Sequence, residues 1–185
     1  MLAALATSLA DSVRMRVDVA AGHSGAAASA LTYLAQEPGI GINQLMEPLG
    51  LTQSATVRLV DRLAADGLVK RQAGGNGRSV AVCLTGQGEE VARGILAARR
   101  QVIATSLAGL AEDELNRLAS LVEKMLSAIT TGKAHSERMC RMCDLAACPV
   151  ANCPVTIACE RIEDQGTGEG LPFVRVPGPD AEAVQ

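Results

Sequence analysis

Two predicted helices in the middle of the chain are joined by a single glycine, and this arrangement limits the fold more than any other feature of the 185-residue sequence. Gly41 can cap a short helix over residues 42–49, and Thr52 can cap a longer helix over about residues 53–66. Gly50 supplies the turn between them. Two helices around one glycine turn predict a helix-turn-helix.

The second of these helices has two different faces. Apolar and methyl-bearing side chains recur at i, i+3, i+4 and i+7, as expected of a stripe that packs against a core. The stripe contains Thr56, Leu59, Val60 and Leu63. The residues on the remaining surface include Gln53, Ser54, Val57, Arg58 and Arg62. The first set is predicted to pack, and the second set is free to contact a partner.

A β-hairpin is predicted directly after this helix. Gly67 fits a helix C-cap, and the segments LVKRQ (68–72) and SVAVCLT (79–85) have the valine and leucine content of short strands. Between the strands, AGGNGR (73–78) forms a hairpin tip. The order helix, turn, helix, hairpin is the winged-helix arrangement. The sequence therefore predicts a mainly α fold with a small β-hairpin wing, in the α+β class.

Further helices are predicted on both sides of this unit, over residues 1–19, 23–36 and 88–107. Ala, Leu and Val must build the core, because the chain is 48% hydrophobic but only 1% aromatic, and such residues favour helices. From Asp113 onward an apolar seam advances in alternating steps of three and four residues. The seam contains Leu115, Leu118, Val122, Met125 and Ile129. Such a seam suits packing on its own domain or dimerisation, and dimerisation is favoured.

Charge is distributed unevenly along the chain. The formal net charge is -3, which by itself argues against a nucleic-acid partner. However, residues 52–85 contain five basic and two acidic side chains, whereas residues 160–185 contain six acidic and two basic ones. An acidic tail therefore masks a basic middle.

The segments LTQSATVRLVDRLAADGLVKR and GNGRSVAVCLTGQGEE resemble the MarR family of bacterial winged-helix transcriptional regulators. The resemblance covers roughly the first 130 residues in the order of elements. Its most specific parts are RLVDRLAADGLV and the wing that ends in LT, with Gly88 three residues after Thr85. The resemblance implies a homodimer with interlocking N- and C-terminal helices, usually a repressor. Each subunit would place a recognition helix in the major groove of double-stranded DNA and a wing in the minor groove.

The resemblance also implies a set of DNA-contacting residues. Ser54 and Arg58 match groove-facing positions, Gln53 lies beside them, and Arg78 matches the basic residue of the wing. Arg can bind guanine or phosphate with two hydrogen bonds, and Gln can pair with adenine. Thr52, at the start of the helix, can contact phosphate where the helix dipole favours an anion.

Five of the six cysteines are concentrated between residues 140 and 159, in CRMCDLAACPVANCPVTIAC. The first four have the spacing C-x2-C-x4-C-x4-C, which resembles that of a zinc knuckle with Cys in place of His. They are Cys140, Cys143, Cys148 and Cys153. Four thiolates can close a tetrahedral zinc shell, so these residues are the candidate metal ligands. The remaining cysteine of the cluster, Cys159, has no assigned role.

Other chemistry remains open for this cluster. An iron-sulfur cluster also takes four cysteines, often with a final Cys-Pro pair, and a metal-free thiol switch is a third possibility. A thiol or iron-sulfur redox enzyme is therefore the alternative function. It is disfavoured because no thioredoxin-like pattern, dinucleotide fingerprint or catalytic histidine constellation is evident. We therefore expect a regulator that responds to metal or redox state through the cysteines, not an enzyme.

Three regions are predicted: a winged-helix and dimerisation domain over residues 1–134, a cysteine-rich metal-binding extension over 135–160, and a disordered acidic tail over 161–185. We expect a cytoplasmic protein, because no apolar run reaches membrane-spanning length and charges interrupt the N-terminal segment early. Tyr33 is the one aromatic residue in the part that resembles the family, so a pocket that stacks a phenolic effector is not expected.

Overall fold

Eight α-helices and three short strands make up the part of the chain that the computed structural model describes, which is residues 1–73, 80–164 and 166. The N-terminal elements are α1 (Leu2–Ala21), α2 (Ala27–Gln36), β1 (Ile40–Gly41), α3 (Ile42–Leu49) and α4 (Gln53–Ala65). The hairpin strands are β2 (Val69–Ala73) and β3 (Val80–Leu84). The C-terminal helices are α5 (Gly86–Leu107), α6 (Glu112–Ile129), α7 (Lys133–Cys140) and α8 (Pro154–Asp164), with a 3-10 turn at Val150–Asn152 before α8.

The predicted helix-turn-helix and hairpin are both present. α3 follows Gly41 and ends at Leu49, and Gly50 adopts the left-handed conformation (φ 62°) that turns the chain into α4. Strands β2 and β3 pair in antiparallel fashion from Val69 opposite Leu84 outward. The fold class predicted from the sequence is confirmed. Residues 74–79, which include most of the predicted hairpin tip, lie outside the described residues.

At the N-terminal side, one predicted helix boundary was wrong and one short strand was missed. Helix α2 begins at Ala27 instead of residue 23, because Gly25 has a left-handed backbone (φ 78°) that interrupts the helix. The two-residue strand β1 was not predicted, because two residues carry no readable alternation. It pairs with β3, with Ile40 opposite Val82, so β3 is the central strand of the sheet.

The core is built from aliphatic side chains of α1 to α5 and the sheet. The predicted stripe of α4 is buried in full. Small residues of α2 let the helices approach closely, since Ala27, Ala28 and Ala30 are all almost fully buried. The largest side chains in this core include Leu31, Leu34, Leu45, Leu63 and Ile95. Burying each of these apolar side chains contributes about 1.5–3 kcal/mol, which holds α4 on the domain by its inner face.

Helix α6 projects its apolar seam away from this core. None of its side chains is buried, and it packs mainly against α8. Leu118, Val122, Met125 and Ile129 are exposed, as are Leu2 and Leu5 in the first helix. The seam is therefore not used for packing on its own domain, which was the alternative interpretation of the heptad pattern.

The cysteine-rich segment contains helical structure that was not predicted from the sequence. Helix α7 occupies residues that were assigned to an extension of unspecified structure, and α8 runs on to Asp164. The boundary predicted between residues 160 and 161 therefore falls inside α8. The remainder of the predicted tail, residue 165 and residues 167–185, lies outside the described residues.

Gly88 joins the hairpin to α5 by a very close backbone approach. A Cβ atom at this position would lie 2.0 Å from the carbonyl oxygen of Leu68. The hydroxyl of Thr85 caps the same helix by accepting a hydrogen bond from the Gly88 N–H at 3.1 Å. Only glycine fits here without moving the backbone.

We predict that Gly88→Ala destabilises the protein by about 2 kcal/mol or more, because the clash is with backbone and cannot be relieved by a side-chain rotation. Gly94→Ala is the matched control in the same helix, since no atom lies within 4 Å of its added methyl group. That control should instead stabilise the helix by about 0.5–1 kcal/mol. Urea unfolding measures both, and equal free energies of unfolding for the two variants would contradict the close approach.

Candidate nucleic-acid interface and cysteine cluster

The N-terminal half of α4 presents a polar surface opposite its buried stripe. Gln53, Ser54 and Arg58 are exposed, as the sequence predicted, and Val57 is half-buried between them. Arg62 extends the cationic surface by one further turn. The structure thus brings the predicted contact residues of this helix onto one accessible face. Arg78, which was predicted to act from the wing, lies outside the described residues.

Thr52 fixes the start of α4. Its Oγ1 atom accepts a hydrogen bond from the N–H of Ala55 at 3.3 Å and lies 3.3 Å from the hydroxyl of Ser54. The carbonyl of Thr52 accepts hydrogen bonds from the Thr56 N–H and hydroxyl, both at 2.9 Å. The helix therefore begins at a defined residue, with its first N–H groups and positive dipole end facing solvent.

Two polar contacts tie α4 to its neighbours. Arg71 of β2 lies 2.6 Å from a carboxylate oxygen of Asp61. The imidazole of His23 lies 3.2 Å from a carboxylate oxygen of Asp66, at the C-terminal end of α4. The first contact joins α4 to the hairpin, and the second joins its C-terminal end to the segment before α2.

The first cysteine pair is attached to the winged-helix core through the backbone around it. Three consecutive carbonyl oxygens, those of residues 141 to 143, each accept a hydrogen bond from a core side chain. Thr32 donates to Arg141 at 2.9 Å, Arg99 donates to Met142 at 3.1 Å, and Gln36 donates to Cys143 at 2.7 Å. Asp144 adds an ion pair with Arg100 at 2.9 Å. These contacts place Cys140 and Cys143 against α2 and α5.

The four predicted ligands are neighbours that form two pairs. A side-chain hydrogen bond with Cys143, together with burial, raises the pKa of the Cys140 thiol. The same hydrogen bond and the nearby Arg99 guanidinium lower the pKa of Cys143 to about 6, although burial opposes this. Burial and the proximity of Cys153 raise the pKa of Cys148. At neutral pH the first pair thus shares one negative charge, which suits it to bind a cation.

The donor set fits zinc, but the shell is not closed. Four thiol sulfur atoms are the ligands of many structural zinc sites. Among the described residues, however, no three Cys, His, Asp or Glu side chains are arranged as a ready metal site. A tetrahedral shell would require the pair Cys148 and Cys153 to move closer to the pair Cys140 and Cys143.

A cavity of about 350 Å³ opens beside the cysteines, between α2, α7 and α8. Cys140, Cys148, Cys153 and Cys159 contribute to its wall, and Tyr33 lies on the side of α2. Burial raises the pKa of the Tyr33 phenol. Cys159 is buried and accepts a hydrogen bond from the Ser136 hydroxyl at 3.7 Å. The fifth cysteine therefore belongs to the packing between α7 and α8.

Comparison with known proteins identifies the architecture. Residues 21–79 match the model of the MarR family. The fold is that of MarR-family winged-helix structures. Helix α4 occupies the place of the recognition helix in this winged helix, and β2 and β3 form the strands of its wing. No curated protein matches the chain significantly.

Several solved structures share the fold. The YusO protein from Bacillus subtilis is 23% identical over 69% of this chain and 90% of its own, with a TM-score of 0.62. A MarR family protein from Bacillus stearothermophilus is 23% identical over 70% of this chain and 90% of its own, with a TM-score of 0.62. RV1404 from Mycobacterium tuberculosis is 24% identical over 69% and 89%, with a TM-score of 0.61. None of the described helices is long and apolar enough to cross a membrane.

Sequence reasoning missed the residues that attach the cysteine segment to the winged helix. Thr32, Gln36 and Arg99 appear in the sequence as ordinary helix residues, and their partners are backbone carbonyls more than 40 positions away. One signal was available. The polar residues Ser29, Thr32 and Gln36 recur in steps of three and four on a helix rich in alanine and leucine, and buried polar groups require a partner.

We predict that Thr52→Ala lowers the free energy of unfolding by about 1 kcal/mol, because the N–H of Ala55 loses its acceptor. Thr52→Ser should preserve most of this free energy, since it keeps the hydroxyl. Urea unfolding followed by circular dichroism measures the difference. Loss of stability in both variants would show that the methyl group of Thr52, and not its hydroxyl, supports the helix.

Proposed function

We propose that this protein is a dimeric, sequence-specific DNA-binding transcription regulator that acts as a repressor and is controlled through its C-terminal cysteine cluster. The observation that carries the DNA-binding part is the two-faced recognition helix. Its inner stripe is fully buried, while Gln53, Ser54 and Arg58 stand exposed on the opposite side. A helix held rigidly by one face can insert the other into the major groove.

The exposed groups match the chemistry of DNA. Arg58 can donate two hydrogen bonds to guanine or to phosphate, and Gln53 can donate to and accept from adenine. The free N–H groups at the start of α4 favour an anion, so a phosphate can bind beside Thr52. Val57 can contact a thymine methyl group. Base contacts and backbone contacts would thus both come from the first two turns of one helix.

Dimerisation is supported by apolar surface that a monomer leaves uncovered. The seam of α6 is exposed, and α1 and α5 border a mostly apolar groove lined by Leu5, Leu9, Met15, Val19 and Val102. Contiguous exposed apolar surface of this kind marks an interface. A two-fold dimer would present two recognition helices to successive major grooves, which lie about 34 Å apart on B-form DNA.

The first experiment concerns DNA binding. Selection from a random pool of duplexes of about 30 base pairs should yield a two-fold symmetric operator. We predict that Arg58→Ala weakens binding to that operator by about 5- to 150-fold, the equivalent of 1–3 kcal/mol, and relaxes the preference at one base position. Arg117→Ala is the control, because it removes the same charge from an exposed ion pair on α6.

Three outcomes would contradict the proposal for α4. These are the absence of any enriched duplex, equal losses for Arg58→Ala and Arg117→Ala, and binding that does not weaken as the salt concentration rises. Repression itself is measured by transcription from a promoter that contains the selected operator. Activation by the protein would refute the repressor role while leaving DNA binding intact.

We also propose that the cysteine cluster binds a metal ion, with zinc preferred over an iron-sulfur cluster. The preference rests on the four thiol donors, which can close a tetrahedral zinc shell, and on their C-x2-C-x4-C-x4-C spacing, which resembles that of a zinc knuckle. Cys140, Cys143, Cys148 and Cys153 would hold the ion, which would supply a fixed link between chain segments and no catalysis. Metal binding would displace the proton that Cys140 retains at neutral pH.

We predict one equivalent of zinc per chain in protein purified without oxygen, and a colourless solution. Replacing Cys148 and Cys153 together by Ser should remove the zinc, whereas Cys83→Ser, in β3 outside the cluster, should retain it. Elemental analysis and the visible spectrum measure this. A brown sample that contains iron and sulfide would replace zinc by a cluster, and metal-free protein would leave only the thiol switch.

Control through the cluster is tested by comparing operator affinities. A site that only stabilises the tail leaves DNA affinity unchanged when the ion is removed, whereas a sensing site couples the two binding free energies. We expect the zinc-loaded, zinc-free and oxidised forms to differ in affinity for the selected operator. Equal affinities in all three forms would eliminate a sensing role.

A further inference from the structure

The cysteine segment lies between the two functional parts of the molecule. One part is the winged helix, and the other is α6 with its exposed seam. We propose that the four-cysteine cluster is a clasp that joins these two parts, and that Arg138 is the positioning residue that connects the clasp to the turn of the helix-turn-helix. This inference rests on the proposed function and names how the cluster would regulate it.

The first half of the clasp is fixed to the winged helix. The three consecutive carbonyls around Cys143 are held by Thr32, Gln36 and Arg99, as described above. The side chain of Arg141 adds a hydrogen bond to the hydroxyl of Ser29 at 3.3 Å. Thr32 is completely buried, so this attachment reaches into the core itself. Cys140 and Cys143 therefore move with α2.

Arg138 links this half of the clasp to the DNA-reading element. Helix α7 packs on α3, and its Arg138 donates a hydrogen bond to the carboxylate of Glu47 at 3.0 Å. The same guanidinium group lies 3.9 Å from the position that a Cβ atom of Gly50 would occupy. Gly50 is the turn between α3 and α4. A displacement at Cys140, two residues after Arg138, is thus transmitted to the turn that orients the recognition helix.

The second half of the clasp is fixed to α6. Cys153 immediately precedes α8, and the carbonyl of Pro154 accepts a hydrogen bond from Ser127 of α6 at 3.3 Å. Helix α8 is the main packing partner of α6. Cys153 therefore moves with the helix that bears the seam.

The chain itself provides little rigidity between these parts. Helix α6 connects to α5 through the four residues 108–111 and to α7 through the three residues 130–132. Gly132 in the second connection has a φ of 130° and a ψ of -173°, a conformation that only glycine adopts easily. A metal ion held by both cysteine pairs would add a rigid cross-link between the winged helix and α6.

A rigid junction matters most for binding two half-sites at once. In a dimer joined through α6, the angle between α6 and the winged helix sets the separation of the two recognition helices. A duplex with both half-sites requires one separation, whereas a duplex with one half-site accepts any. Opening the clasp should therefore reduce affinity for the complete operator much more than affinity for a single half-site.

The test compares these two duplexes. The probes are the selected operator and the same duplex with one half-site scrambled, bound by the full-length wild-type protein and by the variant in which Cys148 and Cys153 are both replaced by Ser. We expect the variant to lose about tenfold in affinity for the complete operator, within the usual range of coupling between sites, and less than twofold for the half-site. Equal losses on both duplexes, or none on either, would overturn the clasp.

Arg138→Ala tests the positioning role, with Arg117→Ala as the control for lost charge. Amide hydrogen exchange is measured over residues 42–50 in Zn²⁺ and again after its removal by a chelator. In wild-type and Arg117→Ala protein, Zn²⁺ should slow exchange there, whereas Arg138→Ala should abolish that response and still bind Zn²⁺. An unchanged response in Arg138→Ala would refute its role.

The two proposals fail in different ways. If wild-type protein enriches no duplex, the proposed function fails, and the hydrogen-exchange response to Zn²⁺ still decides whether the clasp exists. If it binds the operator but the two duplexes never respond differently to the Cys148 and Cys153 substitutions, the regulator stands and the clasp is refuted. Absence of any Zn²⁺ effect on exchange in wild-type protein also refutes the clasp.

Discussion

Burial of one stripe of α4 is the interaction on which the rest of the structure depends. Leu59, Val60 and Leu63 are almost completely enclosed, and Thr56 is enclosed with them. Because an α-helix is rigid, fixing this stripe also fixes the direction in which Gln53 and Arg58 project. The chain has one phenylalanine, one tyrosine and no tryptophan. Alanine, leucine and valine therefore fill the core around this stripe, and the small alanine side chains let the helix backbones approach closely.

Much of the winged helix could be read from the sequence because its signals are local. Gly50 and Thr52 act within one turn of their own positions, and the stripe of α4 follows the helical period. The errors arose where the local signal was weak. Strand β1 is too short for a period, and the start of α2 depended on the backbone angle of Gly25, which the composition of the segment does not reveal.

In the cysteine region, by contrast, the contacts that position the residues are not local. Spacing alone singled out its four candidate ligands, but no pattern in the sequence indicated where in the fold they would lie. Pro154 occupies the first position of α8, where a missing N–H costs nothing. The docking of residues 141–143 depends on Thr32, Gln36 and Arg99, and contacts over such sequence separations leave no periodic trace.

Thr85 has a consequence for how the molecule can move. Its hydroxyl donates to the carbonyl of Gly67 at 2.6 Å and accepts from Gly88 at 3.1 Å, so the base of the hairpin and the first turn of α5 are joined at one atom. Together with the close approach of Gly88 to Leu68, this makes the base of the hairpin and α5 a single rigid unit. Any rotation of the winged helix relative to α6 must therefore occur beyond the C-terminal end of α5, near residues 108–111.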